Sequence, residues 1–188
     1  MTVHAIIGYA WMTVGAVWLI TALTTKPTVR TQPAGSRLVH AGVMILAFLL
    51  VFDSDFAIGP LAWRWLPATP MWAYIGLALT LAGIAFAIWA RLFLGENWSA
   101  AVTIKEDHQL MRRGPYALVR HPIYSGLLLA ILGTAIAEGQ LRGLISFVLA
   151  TIALRMKSLQ EETFMVQQFG SQYQEYRRGV KSLVPFLW

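Results

Sequence analysis

Residues 122–155 read PIYSGLLLAILGTAIAEGQLRGLISFVLATIALR. The stretch is apolar on both sides of one break, Glu138-Gly139-Gln140, with Arg142 just after it. Each half has about 17 residues, roughly 25 Å as an α-helix, against ~30 Å for the hydrocarbon core of a bilayer. A glycine between polar residues, set between two apolar helical runs, predicts a tight helical hairpin. The hairpin brings both of its ends back to one membrane face. Arg120 and His121 at its start are therefore expected beside residues 155–162 at its end. Pro122 suits the first position of a helix, where a missing N–H costs nothing. Gly126 and Gly133 permit close approach of a neighbouring helix.

Three further apolar runs precede the hairpin, at 3–23, at 38–52 with a possible extension to 58, and at 71–94. Each has the composition of a membrane span, and the first and third, and the second if it runs on to 58, have the length. No positive cluster precedes the first run and no small-residue cleavage site follows it, so it reads as a retained span rather than a signal peptide. The connections at 24–37, 59–70 and 95–121 are polar or rich in proline, and 155–188 is polar and begins as a helix. The composition agrees: of 188 residues 57% are hydrophobic and 13% charged, with mean hydropathy +0.57, where soluble domains carry about 25% charged residues. The expected fold is all-α and polytopic. It has about five transmembrane helices, the last two a tight hairpin, and a C-terminal cytosolic amphipathic helix. Two parts follow: 1–69, two helices with no readable catalytic motif, and 70–188, which carries the site.

The net charge of +6 does not indicate nucleic acid, because the basic residues lie in short loops between apolar runs. With five spans, Arg64 and Arg142 fall on one face and the remainder of the 15 lysines and arginines on the other. The positive-inside rule then puts the N-terminus outside and the C-terminus in the cytosol. Trp63, Trp65 and Trp72 fall at the outer boundary, Trp89 and Trp98 at the inner one, as aromatic belts do. Asp53 and Asp55 mark the outer end of the second span. The absence of cysteine excludes disulfides, zinc–thiolate sites and a cysteine nucleophile.

Two polar clusters stand out at the hairpin's ends. Tyr124 lies in the first turn after His121. Lys157 and Glu161, four residues apart, share a helical face. Val166, Phe169, Tyr173, Tyr176 and Val180 recur at helical spacing, a stripe suited to covering the clusters from the membrane surface. Taken singly, Arg112, Arg113 and Arg120 read as topology signals, His121 as an interfacial histidine, and Glu161-Glu162 as a solvated face. The hairpin is what makes them a site.

These residues resemble a known family. His108-Gln109-Leu110, Gly114-Pro115-Tyr116 and Arg120-His121-Pro122-Ile123-Tyr124-Ser125-Gly126 are similar to the signature of isoprenylcysteine carboxyl methyltransferases. Glu161-Glu162, Phe169-Gly170, Tyr173, Tyr176, Val180 and Pro185-Phe186 are similar to that family's second block. Gly95-Glu96-Asn97-Trp98-Ser99 resembles a segment common in prokaryotic relatives. The resemblance covers about residues 89–186, half the chain, and its two blocks stand in the family's order. It implies a membrane methyltransferase using S-adenosyl-L-methionine, in the inner membrane of a prokaryotic cell, with a pocket at the cytosolic boundary. His108, Gln109, Leu110 and Met111 would form one wall; Tyr116, His121, Pro122, Ile123 and Tyr124 another; Glu161, with Glu162 beside it, would close it. Lys157 stands where the family places a substrate-orienting arginine, and lysine lacks the planar fork that grips a carboxylate twice. Arg155 and Arg120 are the candidates to supply it, with Arg120 open between anchor and substrate contact.

The chemistry suits these groups. A carboxylate accepts bonds from an amine or a ribose diol, and tyrosine faces attract a cationic methyl group. Methyl transfer is an in-line displacement that needs no metal, and alignment alone contributes ~7–11 kcal/mol. The acceptor is expected to be a lipophilic small molecule or lipid from the bilayer, with a carboxylate, amine or hydroxyl methylated. Two other readings stay open: a membrane-bound, NADPH-dependent sterol-type reductase, although no Gly-x-Gly-x-x-Gly fingerprint is present, and a non-catalytic accessory membrane protein.

Overall fold

Apolar runs become helices here because a backbone without water must bond to itself. The computed structural model describes residues 1–23, 28–31, 34–95, 103–105 and 110–184. His108 and Gln109, the 96–99 segment, Lys26 and Pro185-Phe186 lie outside the described residues. The helices are α1 (Val3–Ala22), α2 (Ala34–Phe52), α3 (Pro70–Leu94), α4 (Pro122–Glu138), α5 (Leu141–Phe169) and α6 (Ser171–Gly179). Short 3₁₀ turns occupy Ser54–Phe56, Gly59–Ala62 and Gly114–Ala117. α1, α3 and α5 are long and apolar enough to cross a membrane; Arg37–Phe52 of α2 and all of α4 are shorter apolar helices. Prolines open α3 and α4 at their first helical positions, as Pro122 promised.

The helices alternate in direction. His4 Nδ1 lies 2.9 Å from Glu138 Oε1, so α1 begins at the hairpin turn. α1 ends where the Thr21 carbonyl accepts from Arg91 Nη2 at 2.8 Å, near the end of α3. α2 finishes at the hairpin turn, where Arg142 Nη1 donates to the Leu50 and Val51 carbonyls at 2.9 and 3.2 Å. The hairpin turn is made by Gly139 in the left-handed conformation at φ +65°, a region costly for other residues. The 63–66 segment braces it: Trp65 N–H donates to the Gly139 carbonyl and Trp65 Nε1 to the Gln140 carbonyl.

Small residues let α3 and α4 touch backbone to backbone. A Cβ on Gly76 would stand 2.4 Å from the Ala137 nitrogen, one on Gly83 2.5 Å from that of Ala130, and one on Gly126 2.6 Å from that of Ala87. Each glycine has a small residue four positions on, Gly76 with Thr80, Gly83 with Ala87 and Gly126 with Ala130, which is a membrane-helix packing device. Within this crossing Thr80 Oγ1 donates to the Gly76 carbonyl at 2.8 Å and meets Thr134 Oγ1 at 3.3 Å. Trp11 Nε1 donates to Thr134 Oγ1 at 3.0 Å and so ties α1 to the pair.

Two features differ from the sequence reading. The second arm of the hairpin does not end at Arg155; α5 continues as one helix to Phe169, roughly 43 Å long. Residues 155–169 are rich in strong helix formers, and polarity did not break the helix. The fold is all-α as expected, and one short ribbon is added to it. Thr28–Thr31 and Thr103–Lys105 pair as a two-stranded antiparallel ribbon, with Thr31 opposite Thr103. β-branched residues dominate both strands, and both come from connections at the same end of the bundle.

Candidate functional site

The hairpin does what its length implied: His121 meets α5 at Glu161 and Glu162. Its Nδ1 lies 3.3 Å from Glu161 Oε2, and its Nε2 3.2 Å from Glu162 Oε1. Both ring nitrogens face carboxylate oxygens, which only the doubly protonated imidazolium satisfies. The ring is buried, at 8% exposure. Burial acts to lower its pKa, but the hydrogen bonds to Glu161 and Glu162 outweigh this and raise it above the usual histidine value.

Glu162 is a hub, its side chain 5% exposed. It accepts from Arg120 Nε at 3.0 Å and Nη2 at 2.6 Å, and from Ser182 Oγ at 3.3 Å, besides His121. Arg177 Nε is 3.5 Å from its other oxygen. Arg120 Nη1 also donates to the Val180 and Arg177 carbonyls. Of the two readings open to Arg120, its contacts are those of an anchor: the guanidinium fastens the chain beyond α6 to α5. That chain runs against the start of α4, where the N–H groups of Arg120 and His121 donate to the Lys181 and Ser182 carbonyls. Ser125 Oγ donates to the Leu183 carbonyl at 2.5 Å, and Leu183 is buried in the core.

Glu161 is placed differently. Its side chain keeps 23% exposure. The Tyr124 hydroxyl donates to it, His121 holds its other oxygen, and Lys157 stands one turn away on the same helix. The Tyr124 ring stacks on His121, centroids 5.5 Å apart and planes 3° apart, and Lys157 Nζ lies 5.5 Å from the same tyrosine's centroid. Arg155 Nη1 reaches the hydroxyls of Ser158 at 3.4 Å and Ser182 at 3.3 Å.

Tyr116 is buried beside this group, and the Tyr176 hydroxyl donates to its carbonyl at 2.5 Å. Burial first, then the Glu161 charge, pushes the Tyr116 phenol well above its usual range, so it stays a neutral donor. Tyr173 and Tyr176 are also buried; the stripe on α6 faces the protein and covers the clusters. Pro122 and Ile123 are buried in the first turn of α4, while Leu110 and Met111 are half-buried. The structure thus gathers Tyr116, Arg120, His121, Tyr124, Arg155, Lys157, Glu161 and Glu162. Ser182 and His40 were not singled out by the sequence. Ser182 follows no motif, and His40 lies on a helix far away in the chain.

A pH dependence follows. His121 has a folded pKa raised above about 6.5, the ordinary value. Its ion pairs therefore contribute fully below about pH 6.5 and are lost as pH rises through the folded value. Thermal unfolding of the detergent-purified protein should show stability falling on the alkaline side, and His121→Gln should flatten that slope. An identical slope in the variant would contradict the imidazolium.

Comparison with known proteins adds to this geometry. Residues 71–172 match the phospholipid methyltransferase family. A probable protein-S-isoprenylcysteine O-methyltransferase of Oryza sativa subsp. indica is 30% identical over 118 residues, covering 61% of this chain and 62% of that one. Methanethiol S-methyltransferase 2 of Bradyrhizobium diazoefficiens is 35% identical over 146 residues, covering 68% and 55%. The chain therefore spans about three fifths of the length of these curated relatives. The structure of a eukaryotic intramembrane Ras methyltransferase, isoprenylcysteine carboxyl methyltransferase, superposes with a TM-score of 0.58 at 25% identity, over 83% of this chain and 54% of that one.

Proposed function

Because the chain belongs to the phospholipid methyltransferase family, we propose that it transfers a methyl group from S-adenosyl-L-methionine to a lipophilic acceptor at the cytosolic membrane boundary. One observation carries this most: Glu161, the partly exposed carboxylate, is held in place by Tyr124 and His121 where the two resembling blocks meet. Glu162 in turn is consumed by internal donors and fixes that arrangement.

The residues present fit the donor. An oriented carboxylate accepts from an amine or ribose diol, and the cations Lys157, Arg155 and Arg177 suit a carboxylate. Bound there, S-adenosyl-L-methionine would supply a methyl carbon activated by its sulfonium. The chain's residues bind and orient: Glu161 fixes the donor's hydroxyls or amine, Tyr124 and Tyr116 present ring faces, and Leu110 and Met111 line the adjoining wall. The tail around Leu183 closes the site against water. Lys157, at the edge facing α2, is assigned to the acceptor's polar head, with Arg155 behind it.

All five apolar helices are proposed to cross the membrane, with the N-terminus outside and the C-terminus in the cytosol. The proposed core is 70–188. The first two helices still matter to it, because α2 docks on α5 through Ser146 Oγ and the Ala47 carbonyl at 2.6 Å.

Incubating membranes containing the protein with methyl-labelled donor tests the reading. Label is expected in an organic-extractable product, and Glu161→Ala should reduce it on the order of 10²-fold, the scale of losing alignment. Stabilisation by reduced nicotinamide cofactor but not by the methyl donor would instead support a reductase. The names of the relatives differ in the acceptor atom, oxygen in one and sulfur in the other, so this chain's own residues must decide it.

A further inference from the structure

α2 and α5 pack antiparallel in a constant register. Arg142 reaches Leu50 and Val51 and Ser146 reaches Ala47, and the same register sets the His40 ring beside the Ala153 carbonyl. Seven residues forward on α5 match seven back on α2, so the placement of His40 belongs to the whole interface. Ala153, Lys157 and Glu161 then follow one another at single turns along one face of α5. His40 is half-buried and lies within electrostatic reach of both Lys157 and Glu161. It thus enters the acceptor side of the site from a helix outside both blocks that carry the family resemblance.

The chain has four histidines. His4 is at the opposite end of the bundle, on Glu138, and His108 lies outside the described residues. His121 has both nitrogens turned to carboxylates and no lone pair to offer. His40 differs: its ring is set beside the Ala153 carbonyl, where a neutral imidazole points one N–H and keeps a lone pair on its other nitrogen. The charged groups acting on it among the described residues are Lys157 and Glu161 of α5, with Arg37 three positions earlier on its own helix.

We propose that His40 is the proton acceptor for methyl transfer to a protic acceptor, a thiol, amine or hydroxyl borne by a lipophilic molecule. This rests on the methyl-transfer reading of the site. The acceptor's heteroatom forms a bond to the methyl carbon. That carbon's bond to the sulfonium sulfur breaks with its electron pair kept by sulfur, and the heteroatom's proton passes to His40, then to solvent. A carboxylate acceptor arrives without a proton and gives such a base nothing to do.

Two measurements test it. In the first, the purified protein is given methyl-labelled donor with 1-dodecanethiol or dodecanoate. His40→Asn, which keeps a donor for Ala153 but no base, should lower the thiol-to-dodecanoate rate ratio on the order of 10²-fold, the scale of general-base catalysis. Excess imidazole should restore part of the thiol rate. An unchanged ratio overturns the proposal. In the second, nitrogen NMR of ¹⁵N-histidine-labelled protein at pH 8 should show His40, assigned by its loss in His40→Asn, with one protonated nitrogen, and His121 with two. A doubly protonated His40 overturns the proposal. If the wild type methylates neither probe, the reading of the site fails, and the NMR result still decides His40.

Discussion

Glu162→Ala is expected to cost about 3–5 kcal/mol, the scale of stranding a buried charge. Arg120 and His121 are 9% and 8% exposed at the side chain and share this carboxylate. Without it, two buried cations face each other with only carbonyls and Glu161 for compensation. The tail through Ser182 loses its attachment to α5 at the same time. For a chain of this size the loss corresponds to a drop in Tm of roughly 6–20 °C, read by thermal unfolding in detergent. Glu162→Gln keeps an acceptor but not the charge and should fall between. A variant melting with the wild type would mean the hub carries no stability.

Gly133→Leu has the second largest expected effect. Even a Cβ there would stand 2.4 Å from the Thr80 nitrogen and 2.7 Å from the Gly76 carbonyl oxygen. Backbone cannot yield as a flexible side chain does, so α3 and α4 must part. Overpacking of this kind costs about 1–3 kcal/mol, occasionally more, and it also separates Thr80 from Thr134. Because α4 carries His121 and Tyr124 at its first turn, the shift should reach the site. A displacement of about 1 Å lowers catalysis on the order of 10²-fold. Labelled methyl transfer by the folded fraction measures this; an unaffected rate would show that the crossing does not position the site.

Local and periodic features were legible in the sequence. The five apolar runs became α1 to α5, Gly139 ended α4, and the hairpin placed His121 against Glu161 and Glu162. Gly126 and Gly133 were read as contact residues and are. What escaped depends on packing between distant segments. Arg142 read as a loop charge, yet it is buried and bonded to carbonyls at the end of α2, a partner no local pattern reveals. Glu161 and Glu162 are neighbours in sequence, but only the fold distinguishes an enclosed hub from a partly exposed carboxylate. His40 carries no motif; the register of α2 on α5 alone brings it to Lys157.

The central claim is that the group around Glu161 binds a methyl donor. Calorimetric titration of S-adenosyl-L-methionine into the detergent-purified protein tests it most directly. The expected result is saturable binding at one site per chain, lost in Glu161→Ala while that variant still melts cooperatively. No binding to the wild type, or equal affinity in Glu161→Ala, would contradict it.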